Sequence, residues 1–519
     1  MSAIVENTLF TTQVINFDPV DLNTQLVPVP LTGDIKFGIL NLKALSSPLT
    51  QETLEFMFEL DRSGSMSDIC SDGRTKMQHI IHTMSNIVTY FRENPALKVF
   101  ITVEAFDDKL YSIVARTNVT EKNYKEIIKK IEDLTPRGST DIGIALDRVK
   151  EISAKLREQF PDHKLNHIFM TDGQITQGVT NYYKLSALVD PEITNAFIGF
   201  GIDHDASLLN ALSTGVNSNY YFIDKLENAG LVYGEILHGI VYRFLTDVVI
   251  NISEGLIYNF RTNEWVTSLS VGEIVSESNK AYHVISNSPA VCSAQLTCRR
   301  VSDGTEENIG IFKEEDTDLT KYVFRQQNQQ HLYAVKEFIT KKKSDNYLID
   351  EIERDTINNE KYKLKQILTD YFKELKKYVA DNNLSDDVFY QNLCDDIYIS
   401  IQTFTTTHGV MYVNSRLESQ GTQRAYNVTN VPIRESRHYG ARHGIRRQNA
   451  ICTNQMDPDN EEYADEEDQE LDPILNHQIS SSVSTPYRSC SQTAVMRSVS
   501  NNTNNFEEDE EKEDFTLPV

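Results

Sequence analysis

From about residue 50 to 245 of this 519-residue chain, short apolar runs alternate with helical periodicity, and that alternation restricts the fold more than any other feature. "LEFMFELD" (Leu54 to Asp61), "LKVFITVEAF" (Leu97 to Phe106) and "LNHIFMTDG" (Leu165 to Gly173) read as buried strands. "ITNAFIGFGI" (Ile193 to Ile202) and "NYYFID" (Asn219 to Asp224) continue the series. Between them, Met77, Ile80, Ile81, Met84, Ile87, Val88 and Phe91 recur at i, i+3, i+4 spacing, as do Ile142, Ala145, Leu146 and Val149. Such alternation specifies an α/β fold, a doubly wound and mostly parallel sheet with helices on both faces. Ligands of these sheets collect at the carboxyl ends of the strands.

The remaining chain divides by pattern. Residues 246–340 carry strand-like runs separated by turn residues, such as "DVVINISEGLIYNF" and "AVCSAQLTCRRVS", and predict an antiparallel β domain. Residues 1–49 contain similar material, "KFGILNLKAL" (Lys36 to Leu45), and are expected to lend strands to it, with the α/β unit of residues 50–245 inserted between. Residues 341–408 are helical: Leu364, Ile367, Leu368, Tyr371, Phe372 and Leu375 share a face, and Ser385 is the expected N-cap of the next helix. From 409 to 519 the periodicity fails. A basic block (Arg434 to Arg447), an acidic block (Asp457 to Asp472) and a second acidic run (Glu507 to Asp514) predict a disordered tail. Within it, Val495, Met496 and Val499 suggest a short motif that folds on binding, with this protein's own body as one candidate surface.

A formal charge of -26 argues against a general nucleic-acid binder, because such a surface repels phosphate. The six cysteines (Cys70, Cys292, Cys298, Cys394, Cys452 and Cys490) form no C-x-x-C pair, so neither a zinc finger nor a disulfide framework is expected. The first residues lack the pattern of a signal peptide, and no run of about twenty apolar residues is available to span a bilayer. The expectation is a reduced, cytoplasmic protein without membrane insertion.

The first strand ends in "DRSGSMS", which spaces Asp61, Ser63 and Ser65 two apart. That pattern alone is weak, since the same residues serve turns and helix caps. "PRGSTDIGIAL" adds Thr140 in a glycine-containing loop before a helix, and "FMTDGQ" adds Asp172 at the end of another buried strand. All three loops are expected on one edge of the sheet. Two carboxylates and three hydroxyls are hard oxygen donors, suited to Mg²⁺ with retained waters and acceptable to Mn²⁺, whereas Zn²⁺ prefers His or Cys. An incomplete protein shell leaves a position for an outside ligand, and a carboxylate from another protein is the natural one.

On these residues, the span of roughly 50 to 245 resembles the von Willebrand factor A family and its metal-ion-dependent adhesion site. The resemblance implies that Ser63, Ser65 and Thr140 contact a metal and that Asp61 and Asp172 bind it directly or through water. It also implies a partner's acidic side chain completing the shell. The wider layout is similar, more loosely, to multidomain proteins such as inter-α-trypsin-inhibitor heavy chains and some intracellular plant and protist proteins, though no RING or U-box is found.

One departure from the family pattern is the pair Glu55 and Glu59 within the first strand. Glu59 shares a strand face with Asp61. It is expected to pair with a nearby Arg or Lys, for example Arg62 or Arg137, or else to tune the metal from behind the site. His79, His82, His163, His167 and His204 lack ligand spacing and read as packing or surface residues, and Cys70 shows no activating neighbour.

Three functions compete. The favoured one is a non-enzymatic protein–protein interaction module that binds an acidic side chain through Mg²⁺. The alternative is an intracellular scaffold whose contacts ignore metal. The third, a Mg²⁺-dependent phosphoryl-transfer enzyme, would place a second acid two residues after its nucleophile, where this chain has Ser63, and no P-loop is present.

Overall fold

A computed structural model describes residues 10–500 except 19–28, 45, 71, 202–203, 225–227, 312–317, 345–350, 407–408, 428–476 and 481–484. Two strands open it, β1 (Phe10–Asp18) and β2 (Lys36–Ala44), paired antiparallel. Next come β3 (Thr53–Asp61), β4 (Lys98–Phe106), β5 (Leu110–Asn118), β6 (Lys164–Thr171), β7 (Thr194–Phe200) and β8 (Ser218–Ile223). They form a six-stranded sheet in the order β5-β4-β3-β6-β7-β8. Every neighbour pair is parallel except β4 with β5. The helices woven through it are α1 (Lys76–Glu93), α2 (Tyr124–Glu132), α3 (Ile142–Gln159), α4 (Tyr182–Ser186), α5 (Ala206–Leu212) and α6 (Ala229–Val241). The doubly wound α/β fold is therefore present.

The central strand β3 shows why both faces are covered. Phe56, Phe58 and Leu60 point to one side, where they join Ile80, Met84 and Ile87 of α1, with the Phe56 and Phe91 rings 5.0 Å apart. Met57 points to the other side and packs with Val149 and Leu156 of α3. Each such side chain, fully withdrawn from water, stabilises by roughly 1.5–3 kcal/mol. Glu55 and Glu59 of β3 lie on the same side as Met57. Glu55 is ion-paired with Arg116 (2.6 Å) and bonded to His163 (2.7 Å).

After α6 the chain enters antiparallel strands: β9 (Arg243–Ser253), β10 (Leu256–Asn259), β11 (Glu264–Val266), β12 (Ser268–Val275), β13 (Asn279–Ser286), β14 (Ser293–Arg300) and β15 (Glu306–Ile311). They build one sheet β1-β2-β13-β10-β11 and another β12-β9-β14-β15. Leu40, Leu42 and Val284 of the first meet Val248, Ile250 and Leu296 of the second in one core. At the junction with the α/β unit, Arg243 is almost fully buried, bonded to Glu273 (2.7 Å) and ion-paired with Glu52, while Lys164 reaches the same Glu273 (3.1 Å).

The final helices are α7 (Thr320–Ser344), α8 (Glu351–Asp381), α9 (Val388–Thr403), α10 (Gly409–Thr422) and α11 (Cys490–Val499). Three expectations are corrected here. Helix begins at Thr320, inside the span assigned to strands, because Phe324 packs on Tyr371 and Tyr378 of α8 and Tyr390 of α9, and Val335 is buried in the same core. The N-cap of α9 is Asp387, not Ser385: its Oδ1 accepts from the Phe389 (2.8 Å) and Tyr390 (3.4 Å) amides, where an anion also meets the positive helix end. The tail is ordered at two places where disorder was expected. In α10 the polar residues are buried as deeply as the apolar ones, and Arg416 binds Asp396 of α9 at 2.9 Å. In α11, Val495, Met496 and Val499 are buried against α6. The blocks Arg434 to Arg447, Asp457 to Asp472 and Glu507 to Asp514 lie outside the described residues.

Candidate functional site

Four loops at the carboxyl edge of the sheet, three of them carrying the candidate residues, are fastened together by backbone. The Gly64 amide donates to the Gly138 carbonyl (3.1 Å), Arg137 to Arg62 (2.7 Å), and Asp141 to Asp107 (3.0 Å). Thr176 and Gln177 both donate to the Thr140 carbonyl (3.1 and 3.2 Å), and the Thr140 amide donates to Thr176 Oγ1 (2.8 Å). The helices that follow are set by their caps. Thr75 and Gln78 form a capping box on α1, and Asp141 accepts from the first amides of α3. The side chains are thus held by rigid elements on both sides.

Asp61, at the end of β3, is fully buried. Its Oδ1 accepts from the Ser63 amide (2.8 Å) and its Oδ2 from Thr171 Oγ1 (2.5 Å). Burial outweighs these bonds and pushes its pKa up to about 6, with the Asp172 charge adding to the rise. Ser63 and Ser65 hydroxyls lie 3.1 Å apart, and Ser65 donates to Asp172 Oδ1 at 2.8 Å. The other Asp172 oxygen receives the Lys76 ammonium at 2.7 Å, and the same nitrogen lies 3.2 Å from Asp68.

Three of the five candidate residues face Gly173, and Ser63 and Asp172 join them through Ser65. A Cβ placed on that glycine would lie 3.5 Å from Thr140 Oγ1, 3.6 Å from Ser65 Oγ and 4.0 Å from Asp61 Oδ2. Oxygens from three loops therefore face one cradle, which the missing side chain leaves open. Asp61, Ser63, Ser65, Thr140 and Asp172 are brought together there. Two carboxylates and three hydroxyls converging in this way fit a hard divalent cation that keeps some of its water. No group of three or more His, Cys, Asp or Glu suited to a metal occurs among the described residues, so the hydroxyls are indispensable to such a set.

Sequence reasoning missed Lys76 and Thr171. Thr171 stood next to Asp172 in "FMTDGQ" and points to the same edge. Lys76 had no local signal beyond being the first residue of the helix after the loop. Glu59 is a correction. It pairs with neither Arg62 nor Arg137: Arg62 bonds the Thr135 carbonyl (2.7 Å) and Arg137 bonds Asp107 (3.3 Å). Glu59 instead sits buried beside Glu104, which holds Arg148 in a bidentate pair (2.9–3.1 Å). Burial, and then Glu104, raise the Glu59 pKa well above the usual carboxylate range, against the pull of Arg148. The histidines pack elsewhere: His79 meets Asp72 (3.1 Å), His167 meets Asn195 (3.0 Å) and His204 meets the Tyr220 hydroxyl (2.7 Å).

The sequence profile of the von Willebrand factor type A domain matches residues 56–174, which hold most of β3, all of β4, β5 and β6, and Asp61, Ser63, Ser65, Thr140 and Asp172. Among solved structures, the chain is similar to a von Willebrand factor type A protein from Catenulispora acidiphila, at 14% identity over 73% of this chain and 85% of that one, with a TM-score of 0.42. It is similar to the ArnB paralog VWA2 from Sulfolobus acidocaldarius at 12% identity, over 75% and 94% of the two chains, with a TM-score of 0.43. A mussel byssus protein, proximal thread matrix protein 1 with a zinc-occupied MIDAS motif, is 20% identical over 39% of this chain and 51% of its own, with a TM-score of 0.31. No curated protein matches. Profile, strand order and the loops at the sheet edge agree on one span: residues 56–174 carry a von Willebrand factor type A domain.

Proposed function

We propose that the α/β unit is a non-enzymatic interaction module that binds an acidic side chain of another protein through a Mg²⁺ ion, or Mn²⁺, held by Asp61, Ser63, Ser65, Thr140 and Asp172. The observation that carries this reading is the convergence of Asp61, Ser65 and Thr140 oxygens on the open cradle at Gly173, with Ser65 bonded in turn to Asp172 and 3.1 Å from Ser63. Bound there, the cation supplies a positive charge that a carboxylate from outside can meet. The chain's own residues do the rest. Ser63 and Thr171 orient Asp61, Ser65 orients Asp172, and the backbone ties between the three loops keep the donors from spreading. Ile69 and Val179 leave apolar side chains exposed on the loops after Ser65 and Asp172, Val179 lying over the start of α3. They provide apolar contact beside the carboxylate of a partner.

No helix among the described residues is long and apolar enough to cross a membrane, and we place the protein in the cytoplasm. Selecting displayed random peptides on the full chain in millimolar Mg²⁺ tests the reading. The account expects enriched peptides that contain Asp or Glu, release in EDTA and fail to bind Thr140→Ala. Peptides without an acid, or binding that ignores EDTA, would favour a scaffold whose contacts lie elsewhere.

A further inference from the structure

Lys76 occupies a position that helix stability does not explain. It is the first residue of α1, where the positive end of the helix dipole disfavours a cation. The cap there is already made by Thr75 and Gln78. Its stem is buried, and its ammonium reaches back into the cradle, 2.7 Å from Asp172 Oδ2 and 3.2 Å from Asp68 Oδ2. With Ser65 on Oδ1, both oxygens of Asp172 are occupied by groups of this chain. The two acids differ: Asp172 is fully buried, whereas the Asp68 side chain is 59% exposed.

We infer that Lys76 is a tethered counter-cation of the adhesion site, which holds Asp172 in the metal-free protein and moves toward Asp68 when a divalent ion claims that carboxylate. The inference rests on the metal-site reading above. A buried carboxylate without a partner is costly, so a resident ammonium keeps the empty site folded. The same charge opposes an entering divalent ion, because like charges a few ångströms apart repel even with aqueous screening. Asp68 makes the exchange feasible, since the ammonium keeps an anionic partner within reach after leaving Asp172. Lys76 thereby sets metal affinity low and biases occupancy toward conditions in which a partner's carboxylate adds its own negative charge to the site.

The test is Mn²⁺ binding to the full chain, read as the loss of the free-ion electron paramagnetic resonance signal, for wild type, Lys76→Met and Lys76→Arg. Methionine keeps the length of the stem and removes the charge, while arginine keeps the charge. The expected result is affinity about tenfold tighter or more in Lys76→Met, from Coulomb repulsion at short range, with Lys76→Arg near wild type. In EDTA the Lys76→Met protein is expected to unfold at a lower temperature and to gain more from Mn²⁺ than wild type does. Equal or weaker Mn²⁺ affinity in Lys76→Met overturns the inference while leaving the metal site intact. A Lys76→Met protein that is unfolded in EDTA and not rescued by Mn²⁺ overturns it as well, making Lys76 only a structural ion pair. Absence of binding by all three proteins overturns both this inference and the metal-site reading.

Discussion

His167 lies within β6, with Nδ1 3.0 Å from the Asn195 side-chain oxygen and its ring edge-on to Phe197. Burial drives its pKa down to about 4, partly offset by the bond to Asn195. The folded chain therefore holds this imidazole neutral while an unfolded chain, titrating near 6.5, takes up a proton. Stability from this group is complete above about pH 6.5 and is lost as pH falls toward 4. Asp61 and Asp396, both raised to about 6 by burial, run the opposite way, so the total profile mixes signs. A single-site comparison separates them. His167→Gln should gain on wild type between pH 6.5 and 4, by on the order of 3 kcal/mol, and show no pH-dependent gain above 7. Urea denaturation across that range checks it, and parallel profiles for the two proteins would contradict it. At this scale the sequence exposed much of the site. The spacing of Asp61, Ser63 and Ser65 was weak alone and gained meaning only beside the loops that carry Thr140 and Asp172. Lys76 and Thr171 could not be found this way, because each bonds an acid about a hundred residues away and that pairing exists only after the sheet forms. Glu59 misled for the same reason: its nearest neighbours are Glu104 and Arg148, brought beside it by strand pairing and by α3.

Among the elements, α11 was half legible: Val495, Met496 and Val499 marked a motif that folds on binding, with this protein's own body as one candidate surface, while the composition around them read as a disordered tail. Its segment is rich in Ser and Thr, and only Val495, Met496 and Val499 carry apolar surface. The helix is nonetheless seated. A capping box from Ser489 and Gln492 starts it, Ser491 bonds His238 of α6 (2.8 Å), and Asn86 of α1 donates to the Val499 carbonyl (2.9 Å). Gly230 and Gly234 of α6 permit the close approach, since a Cβ on Gly234 would fall 2.5 Å from the Met496 Cα. Gly234→Leu should therefore unseat α11 by collision with backbone while the central sheet stays folded. Hydrogen exchange followed by mass spectrometry is expected to show fast exchange across residues 490–499 and unchanged protection in β3 and β6. Continued protection of α11 in that variant would contradict the packing. The strands and long helices of the α/β unit were readable because their period is set by burial on one or two faces. In α10 the signal was hidden, since Asn414, Ser415, Arg416, Glu418, Ser419 and Gln420 are buried polar residues, Arg416 and Gln420 bonding Asp396 of α9, rather than an apolar stripe.

Over the whole molecule, the α/β unit, the paired antiparallel sheets and the helices are joined by buried charges. Arg243 links Glu52 and Glu273 at the first junction, and Arg325 donates to the carbonyls of Ala281 (2.9 Å) and Gln420 (2.8 Å) at the second. Removing either guanidinium leaves the acceptors on both sides of a junction without their donor, which favours units that move together. We propose that the α/β unit is an insertion between β2 and β9 and that the surrounding body presents its carboxyl edge to a partner. The central claim is that this edge binds a divalent cation. A ligand that binds only the folded state must raise its unfolding temperature. The decisive measurement is thermal unfolding of the full chain in EDTA, millimolar Mg²⁺ and millimolar Mn²⁺, beside Asp61→Ala, which removes a donor, and Gly173→Val, which fills the cradle. A metal-dependent rise in the wild type, absent from both folded variants, is the predicted result; a midpoint unmoved by metal, or moved equally in all three proteins, would contradict the account.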